Sequence, residues 1–547
     1  MTVWLINAPE GDGQTLDWPN ETEVLQFATD DFANARDATT WTLPKPPFHR
    51  PGDPIEPDQA LAWPFNNMAP PAARSWWISE KVSQLAEELG APDVIVFGDD
   101  PIDAYFLLQR QLTNSVFLPN VSISVPDWHV PTPRKYRLPQ YWDDEMRRAA
   151  MAMADFVFPA KAGQWNTPSD TSKASGDALT IQPKTKRHHT LFPFADAALN
   201  REATPTTALP DGEPRLTVVI PCYNLGRFLT EAVETALAST NVDFRVWVID
   251  DGSADSFTKQ TLDELSLLGD KRLQITRRTN RGLAETRNFA ARSCASPYLA
   301  FLDADDAVEP TFFARAVTLL ERYANVHWVS SWARFFGASY GIWHAWNTTL
   351  PYFLAHNLLI PICVVRRETF LAYGLNNPAM RYGLEDYEGW LSMVENGCGG
   401  IAIPEPLTRY RIREKSMFQS INRDRQLFLY DLIAREHPKL YAQYGEELFC
   451  LQNANGPAWT WDQPTCYVDP YQQLLERAKT AQESIAPEHA EAYDQLTREH
   501  AEAHRTIRWH QQNREELLHR IAHLEAEVGW RKSLEGKASE AETIPSA

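Results

Sequence analysis

The sequence predicts an α/β protein of several domains: a Rossmann-like domain first, a second α/β domain after it, and a long helix or coiled coil near the C-terminus. Three observations predict this. Strand-like and helix-like pieces alternate over residues 1–162. Several apolar runs between residues 215 and 445 end abruptly in polar or acidic groups. A 3–4 spacing of apolar residues then runs from Tyr493 to Val528. At 547 residues the chain exceeds what one core serves, and roughly three or four units are expected.

Residues 1–162 carry the first alternation. Val3–Ile6 reads as a strand, and Ser75–Leu89 as a helix that Gly90 can cap. Asp93–Phe97 reads as a short buried strand followed by a helix over Pro101–Leu112. A helix over Asp143–Ala154 then feeds Phe156-Val157-Phe158. Such βα alternation implies a parallel sheet. Tryptophans and prolines crowd the loops between Pro44 and Trp77. Asp99 and Asp100 stand at a strand end, where a loop cap is the expected role and ligand contact the alternative.

The stretch 163–214 is polar and rich in proline, serine and threonine, as in TPSDTSKASGD and TPTTALPDGEP, and reads as a linker. Residues 215–445 form the second α/β domain, and 446–487 a connecting segment. Within 488–530, Tyr493, Leu496, Ile507, Leu517, Ile521, Leu524 and Val528 trace an a/d seam, interrupted by His500, His510 and Arg514. This segment either joins protomers, giving a homo-oligomer, or folds on its own chain. Residues 531–547 are expected to be disordered.

The formal net charge of −20 argues against nucleic acid, since a phosphate backbone requires a basic face. Six scattered cysteines, with no CxxC, read as reduced thiols rather than a disulfide framework. No run approaches the ~18 apolar residues of a membrane span. The N-terminus lacks a basic n-region. These features give a cytoplasmic expectation, with peripheral membrane contact open.

Chemistry concentrates in the second domain. TVVIPCYN (Thr217–Asn224) is a strand running into a polar turn; Pro221 is expected to end it and Tyr223 to stand at its edge, where it can stack on a base. FRVWVIDDGSADS ends a second strand in Asp250-Asp251-Gly252, where a carboxylate can accept from a base or ribose or can cap a helix. TNRGLAETRN places Arg281 in a turn and Arg287 on the following helix, and guanidinium forks suit phosphate oxygens and carboxylates. FLDADD ends a third strand in Asp303, Asp305 and Asp306. Three carboxylates this close repel one another unless a cation sits among them, and a hard divalent ion completed by diphosphate oxygens answers that need.

TVVIPCYN, VIDDGS, NRGLAETRN and FLDADD, in this order, resemble glycosyltransferase family 2 over about residues 215–417. The resemblance implies a GT-A nucleotide-sugar transferase domain and an inverting, metal-dependent enzyme. It implies nucleotide contacts at Pro221, Tyr223, Asp250, Asp251, Arg281, Arg287 and Asp303, and Mg2+ or Mn2+ at Asp305 with Asp303 assisting. YGLEDYEGW fits the family's downstream acidic pair, with Asp386 as general base and Glu385 its neighbour. PEPLTRYRIREKSM fits its closing segment. Where family members often carry a metal-contacting histidine this chain has Arg413, so Arg411 and Arg413 are expected to share diphosphate neutralisation.

Trp332, Trp343, Trp346 and Trp390 are candidates for sugar stacking, with core packing the alternative; His344 and His356 read as structural. Residues 1–162 also look like the N-terminal half of a GT-B glycosyltransferase, not catalytic alone, that helps bind the acceptor or a partner.

The expected function is transfer of one sugar from a nucleotide-diphosphate sugar, a UDP-sugar by family likeness, to a glycan, lipid-linked or protein acceptor in polysaccharide biosynthesis. Two other readings stand beside it. A sugar nucleotidyltransferase would carry a Gly-rich basic loop where PCYNLGRFL stands. A non-catalytic glycan-binding scaffold would not need both acidic pairs.

Overall fold

The computed structural model describes residues 2–6, 23–29, 40–43, 70–98, 100–128, 141–158, 190–204, 209, 212–338, 341–355, 357–413 and 423–449. Asp99, His356, Cys450, Cys466, the heptad stretch and the C-terminal tail lie outside these residues.

The N-terminal sheet comprises β1 (Thr2–Ile6), β2 (Glu23–Thr29), β3 (Thr40–Leu43), β4 (Val94–Phe97), β5 (Ser122–Pro126) and β6 (Phe156–Phe158). Every pairing is parallel, in the order β3-β2-β1-β4-β5-β6. That is the doubly wound Rossmann order, which reverses between β1 and β4. Both faces are covered, as an all-parallel sheet requires. Val3, Leu5, Val94 and Val96 pack on one side; Trp4, Ile6, Ile95 and Phe97 pack on the other. The helices are α1 (Pro70–Leu89), α2 (Tyr105–Thr113) and α3 (Tyr141–Met153). Helix α1 begins before the expected Ser75, and Pro101–Ala104 is a 3₁₀ turn leading into α2 rather than its first turn. Strands β2 and β3 were not foreseen. Asp100 fulfils the capping role: its Oδ1 accepts from the Ile102 amide at 3.0 Å.

Part of the segment expected to be a linker is packed. The Asn325 side chain accepts from the Phe192 amide (2.6 Å) and donates to the Phe192 carbonyl (2.8 Å), and the Phe192 ring is buried beside Tyr323.

The second sheet is mixed. It holds β7 (Leu216–Cys222), β8 (Phe244–Asp250), β9 (Leu273–Arg277), β10 (Tyr298–Phe301), β11 (Ala307–Val308), β12 (Val326–Gly337), β13 (Gly341–Trp343), β14 (Cys363–Arg366) and β15 (Gly399–Ile412). The order is β11-β15-β12-β14-β10-β7-β8-β9, with β13 paired to β12. Strands β10, β7, β8 and β9 run parallel, so their carboxyl ends open on one side. Pro221 does not end its strand: it pairs with Ile249 inside β7. Strand β10 pairs with β7 only as far as Val219, so Pro221 lies where that neighbour has ended.

The helices here are α4 (Gly226–Leu237), α5 (Ser256–Ser266), α6 (Leu283–Ser293), α7 (Phe312–Arg322), α8 (Tyr352–Ala355), α9 (Arg367–Thr369), α10 (Glu385–Glu395), α11 (Arg423–Glu436) and α12 (Pro438–Gln443). The described residues all fall in one unit, Met1–Gly456, and one of its apolar clusters runs from Trp4 and Phe27 through Trp76 and Phe106 to Trp332 and Ala345. Cys222, Cys294, Cys363 and Cys398 are free and buried. Among the described residues no helix is long and apolar enough to cross a membrane.

Candidate active site

The carboxyl ends of β7, β8 and β10 meet in a cleft of about 1300 Å³. Asp251, Asp303, Asp305, Glu385 and Asp386 all line it, although they come from three separate segments.

The turn after β8 is fixed by its own polar groups. Asp250 is buried and accepts from the Ser253 amide at 3.0 Å; it does not line the cleft. Gly252 has φ +77°, and a Cβ there would come within 2.7 Å of the Asn280 nitrogen, so only glycine suits. Asp251 accepts from the amides of Arg281 (3.0 Å) and Gly282 (2.7 Å), ahead of α6. Arg281 therefore contributes its backbone amide here; its exposed side chain is not part of the cleft wall. Pro221 lines the cleft, as does Tyr223, which is 49% exposed with its ring free to meet a base.

Arg287 is buried and bridges two parts of the site. One nitrogen (Nη2) lies 2.7 Å from Asp303 Oδ1, and Nη1 lies 2.7 Å from Glu385 Oε1. Burial works against its charge, but Asp303, Glu385 and Asp386 outweigh that and hold it cationic. Sequence reasoning left phosphate oxygens or carboxylates as its partners, and in the structure it engages two carboxylates.

Asp386 opens α10 beside Glu385. Burial lifts its carboxyl above the ordinary aspartate range; Arg287 opposes this and Asp303 adds to it. Burial pushes Glu385 up to about 7 against the pull of Arg287. With Arg287 fixed as a cation at 2.7 Å, Glu385 is the carboxylate above neutrality. Asp386 accepts from the Tyr387 amide at 2.8 Å and, among the described residues, has no short ion pair with an arginine.

At the third strand end, Arg413 Nε lies 2.6 Å from Asp305 Oδ2, and Arg411 Nε donates to the Asp305 carbonyl at 2.7 Å. The Arg411 guanidinium also pairs with Glu231 and lies over Phe336, 4.0 Å from the ring centre. Burial, with Asp303 adding, raises Asp305; burial with Asp305 and Asp303 raises Asp306 further. Oxygen Oδ2 of Asp306 has no hydrogen-bond partner among the described residues.

No cluster of three His, Cys, Asp or Glu among the described residues could hold a metal alone. The donor chemistry still fits a hard divalent ion shared with a ligand. Asp303 and Asp305 each offer a two-oxygen group of which an arginine takes one oxygen, and diphosphate would complete the shell.

Trp343 and Trp346 line the cleft; Trp390 and Trp332 do not. Trp390 is 3% exposed and packs on Trp328 at 5.3 Å, a core role that removes it from the stacking candidates. Trp332 is likewise core. His344 reaches the cleft wall, where burial lowers it to about 4 and keeps it neutral. Sequence reasoning missed Asn280, Tyr410 and Tyr430, which also line the cleft. Tyr410, within the RYR run, was the one of these with a signal.

The glycosyl transferase family 2 model matches residues 217–374. An uncharacterized glycosyltransferase of Haemophilus influenzae is 26% identical over 219 residues, 36% of this chain and 66% of that protein. Another, of Rickettsia felis, is 35% identical over 94 residues but spans only 15% of its own length. Escherichia coli chondroitin synthase is 35% identical over 97 residues, 18% of this chain and 14% of the synthase.

Among solved structures, Staphylococcus aureus TarS 1–349 in complex with UDP is 15% identical, covering 47% of this chain and 77% of that one with a TM-score of 0.36. The Pyrobaculum calidifontis mannosyltransferase PcManGT with GDP-Man and Mn2+ is 19% identical, covering 54% and 89% with a TM-score of 0.34. Residues 217–374 are a glycosyltransferase family 2 domain. The match contains Asp251, Arg287, Asp303 and Asp305 and stops before Glu385, so the role of the second acidic pair rests on the cleft itself. None of these matches supports the expected GT-B likeness of residues 1–162.

Proposed function

We propose that this chain is an inverting glycosyltransferase that moves one sugar from a nucleotide-diphosphate sugar to a hydroxyl of a glycan, lipid-linked or protein acceptor. The observation that carries the reading is the convergence of Asp251, Asp303, Asp305 and Asp386 on one cleft. A UDP donor is taken from the family likeness, and the resemblance to chondroitin synthase favours a glycan acceptor.

Tyr223 and the Asp251 turn receive base and ribose, and the diphosphate lies toward Asp303 and Asp305. A divalent ion at those two aspartates, when bound, neutralises charge on the departing diphosphate. Arg413 pairs with the Asp305 carboxylate and Arg411 donates to the Asp305 carbonyl, so both add cationic charge beside it. Asp386 accepts the proton of the acceptor hydroxyl as its oxygen attacks the anomeric carbon. The bond from that carbon to the phosphate oxygen breaks, and its electron pair leaves with the nucleotide. One displacement inverts the centre, so one catalytic carboxylate suffices. Glu385 keeps α10 tied to Arg287.

The test pairs two variants. Asp386→Asn should lower transfer by about 10²–10⁴-fold while calorimetry with UDP and manganese shows unchanged binding. Asp305→Ala should weaken both. Full transfer by Asp386→Asn removes the base assignment, and nucleotide binding without any turnover in the natural chain favours the scaffold reading.

A further inference from the structure

The family match begins at residue 217, which leaves the N-terminal domain without a role. Its contacts supply one. The stretch 343–347, which begins at the last residue of β13, presents Trp343, His344 and Trp346 to the cleft. Trp343 is backed by Phe335 and Tyr410 of the second sheet, whereas the support behind Trp346 comes from α2.

The Phe106 ring of α2 lies 5.7 Å from Trp346 and 5.6 Å from Trp332. Trp76 of α1 lies 4.8 Å from Trp332 and 5.6 Å from Phe106, so the three rings form one cluster. Trp332 transmits this support: its indole N–H donates to the Ala345 carbonyl at 3.0 Å, and its ring meets His344 edge-on at 4.6 Å.

A polar tie accompanies the apolar one. Gln109 of α2 is 2% exposed, and its Nε2 donates to Asn347 Oδ1 (3.0 Å) and to the Ala402 carbonyl of β15 (2.7 Å). Asn347 Oδ1 also accepts from the Ala402 amide at 2.9 Å. One buried amide thus fastens the end of the loop to the sheet. Its Oε1 has no partner among the described residues, a cost that an apolar side chain would not carry.

Topology assigns this wall to the acceptor. The nucleotide-facing groups follow β7 and β8, on one side of β10. Strands β12, β13 and β15 lie on the other side, beyond β14. Ala72 of α1 itself lines the cleft.

We propose that the N-terminal domain builds the acceptor side of this cleft, with Phe106 and Gln109 as positioning residues that hold Trp346, beside Trp343, for a pyranose ring of a glycan. This rests on the glycosyltransferase reading, since indole faces pack against the C–H faces of sugar rings. A glycan acceptor is thereby preferred over a bare lipid or peptide hydroxyl.

The full chain is tested as Gln109→Leu and Phe106→Ala, with Phe106→Leu as the volume-keeping control. Amide hydrogen exchange over 343–349 should accelerate about tenfold in the first two, with 281–287 unchanged. Affinity for UDP with manganese should stay within about twofold. With UDP-glucose or UDP-N-acetylglucosamine as donor and p-nitrophenyl β-glycosides as acceptor probes, the ratio of transfer to donor hydrolysis should fall about fivefold. Phe106→Leu should restore most of it.

That ratio does not depend on the folded fraction, so a mere loss of folded protein cannot mimic the effect. Unchanged exchange over 343–349 overturns the proposal, as does a fall in UDP affinity that matches the fall in transfer. Absence of UDP binding and turnover in the natural chain would instead sink the proposed function, while the exchange measurement still judges the buttress.

Discussion

The two sheets of this chain are built on one plan and differ in what their strand ends do with charge. In the N-terminal sheet several described acids near the strand ends are engaged within the fold. Asp93 accepts from the Thr2 amide, Asp155 from the Ile123 amide, Asp103 from Arg74, and Asp100 caps a turn while Arg147 grips it at 2.7 Å. In the second sheet Asp251, Asp303, Asp305 and Asp386 reach a shared cleft. An acid at a strand tip therefore marks a site only where several converge and the fold leaves them room for a ligand.

The sharpest way to break this contrast is Arg287→Met. It leaves Asp303 and Glu385 facing each other without their cation, and removing one member of a buried ion pair costs about 3–5 kcal/mol. We expect a large fall in the urea midpoint and loss of transfer. The corresponding deletion in the first sheet is Asp100→Asn. It should cost about 1–2 kcal/mol, since Arg147 loses one carboxylate but keeps Asp144 at 3.0 Å, yet leave donor hydrolysis unchanged, because nothing at that strand end lines the cleft. A loss of hydrolysis there, in protein shown to be folded, would contradict the contrast.

Two smaller effects sharpen it. Because burial raises Asp386, the acid limb of transfer should lie above the ordinary aspartate range, activity being lost as pH falls through that value; a pH–rate profile reads this directly. Glu385 gives the complementary stability signal. Its folded value of about 7 exceeds its ordinary value of 4.5, so the folded state binds its proton more tightly. That contribution is complete below the unfolded value and is lost as pH rises toward 7. Glu385→Gln should flatten the decline in urea midpoint between those values. Smallest is Gly252→Ala, where φ of +77° and the close Asn280 nitrogen should cost about 1–2 kcal/mol and weaken UDP binding.

Much of the site was legible because its signals are local. An apolar run that turns acidic within two residues reports a strand end without further information, and Asp251, Asp303 and Asp305 were found that way. What escaped were pairings between distant segments. The partner of Arg287 on α10 lies 98 residues away, and that of Gln109 on β15 lies 293 away. Neither spacing leaves a pattern in the chain. The four candidate tryptophans looked alike in sequence, and only packing separates Trp343 and Trp346 on the cleft wall from Trp332 and Trp390 in the core. In the first domain β3 is four residues long, too brief to show a period of its own.

Arg287 has one further consequence. In the proposed mechanism, a single side chain clasps the aspartate on the leaving-group side with one nitrogen and the helix bearing the proton acceptor with another. Leaving group and nucleophile thus share a hinge pin: displacement at either end is felt at the other, and the spacing between the two ends of the reaction is set before any substrate arrives.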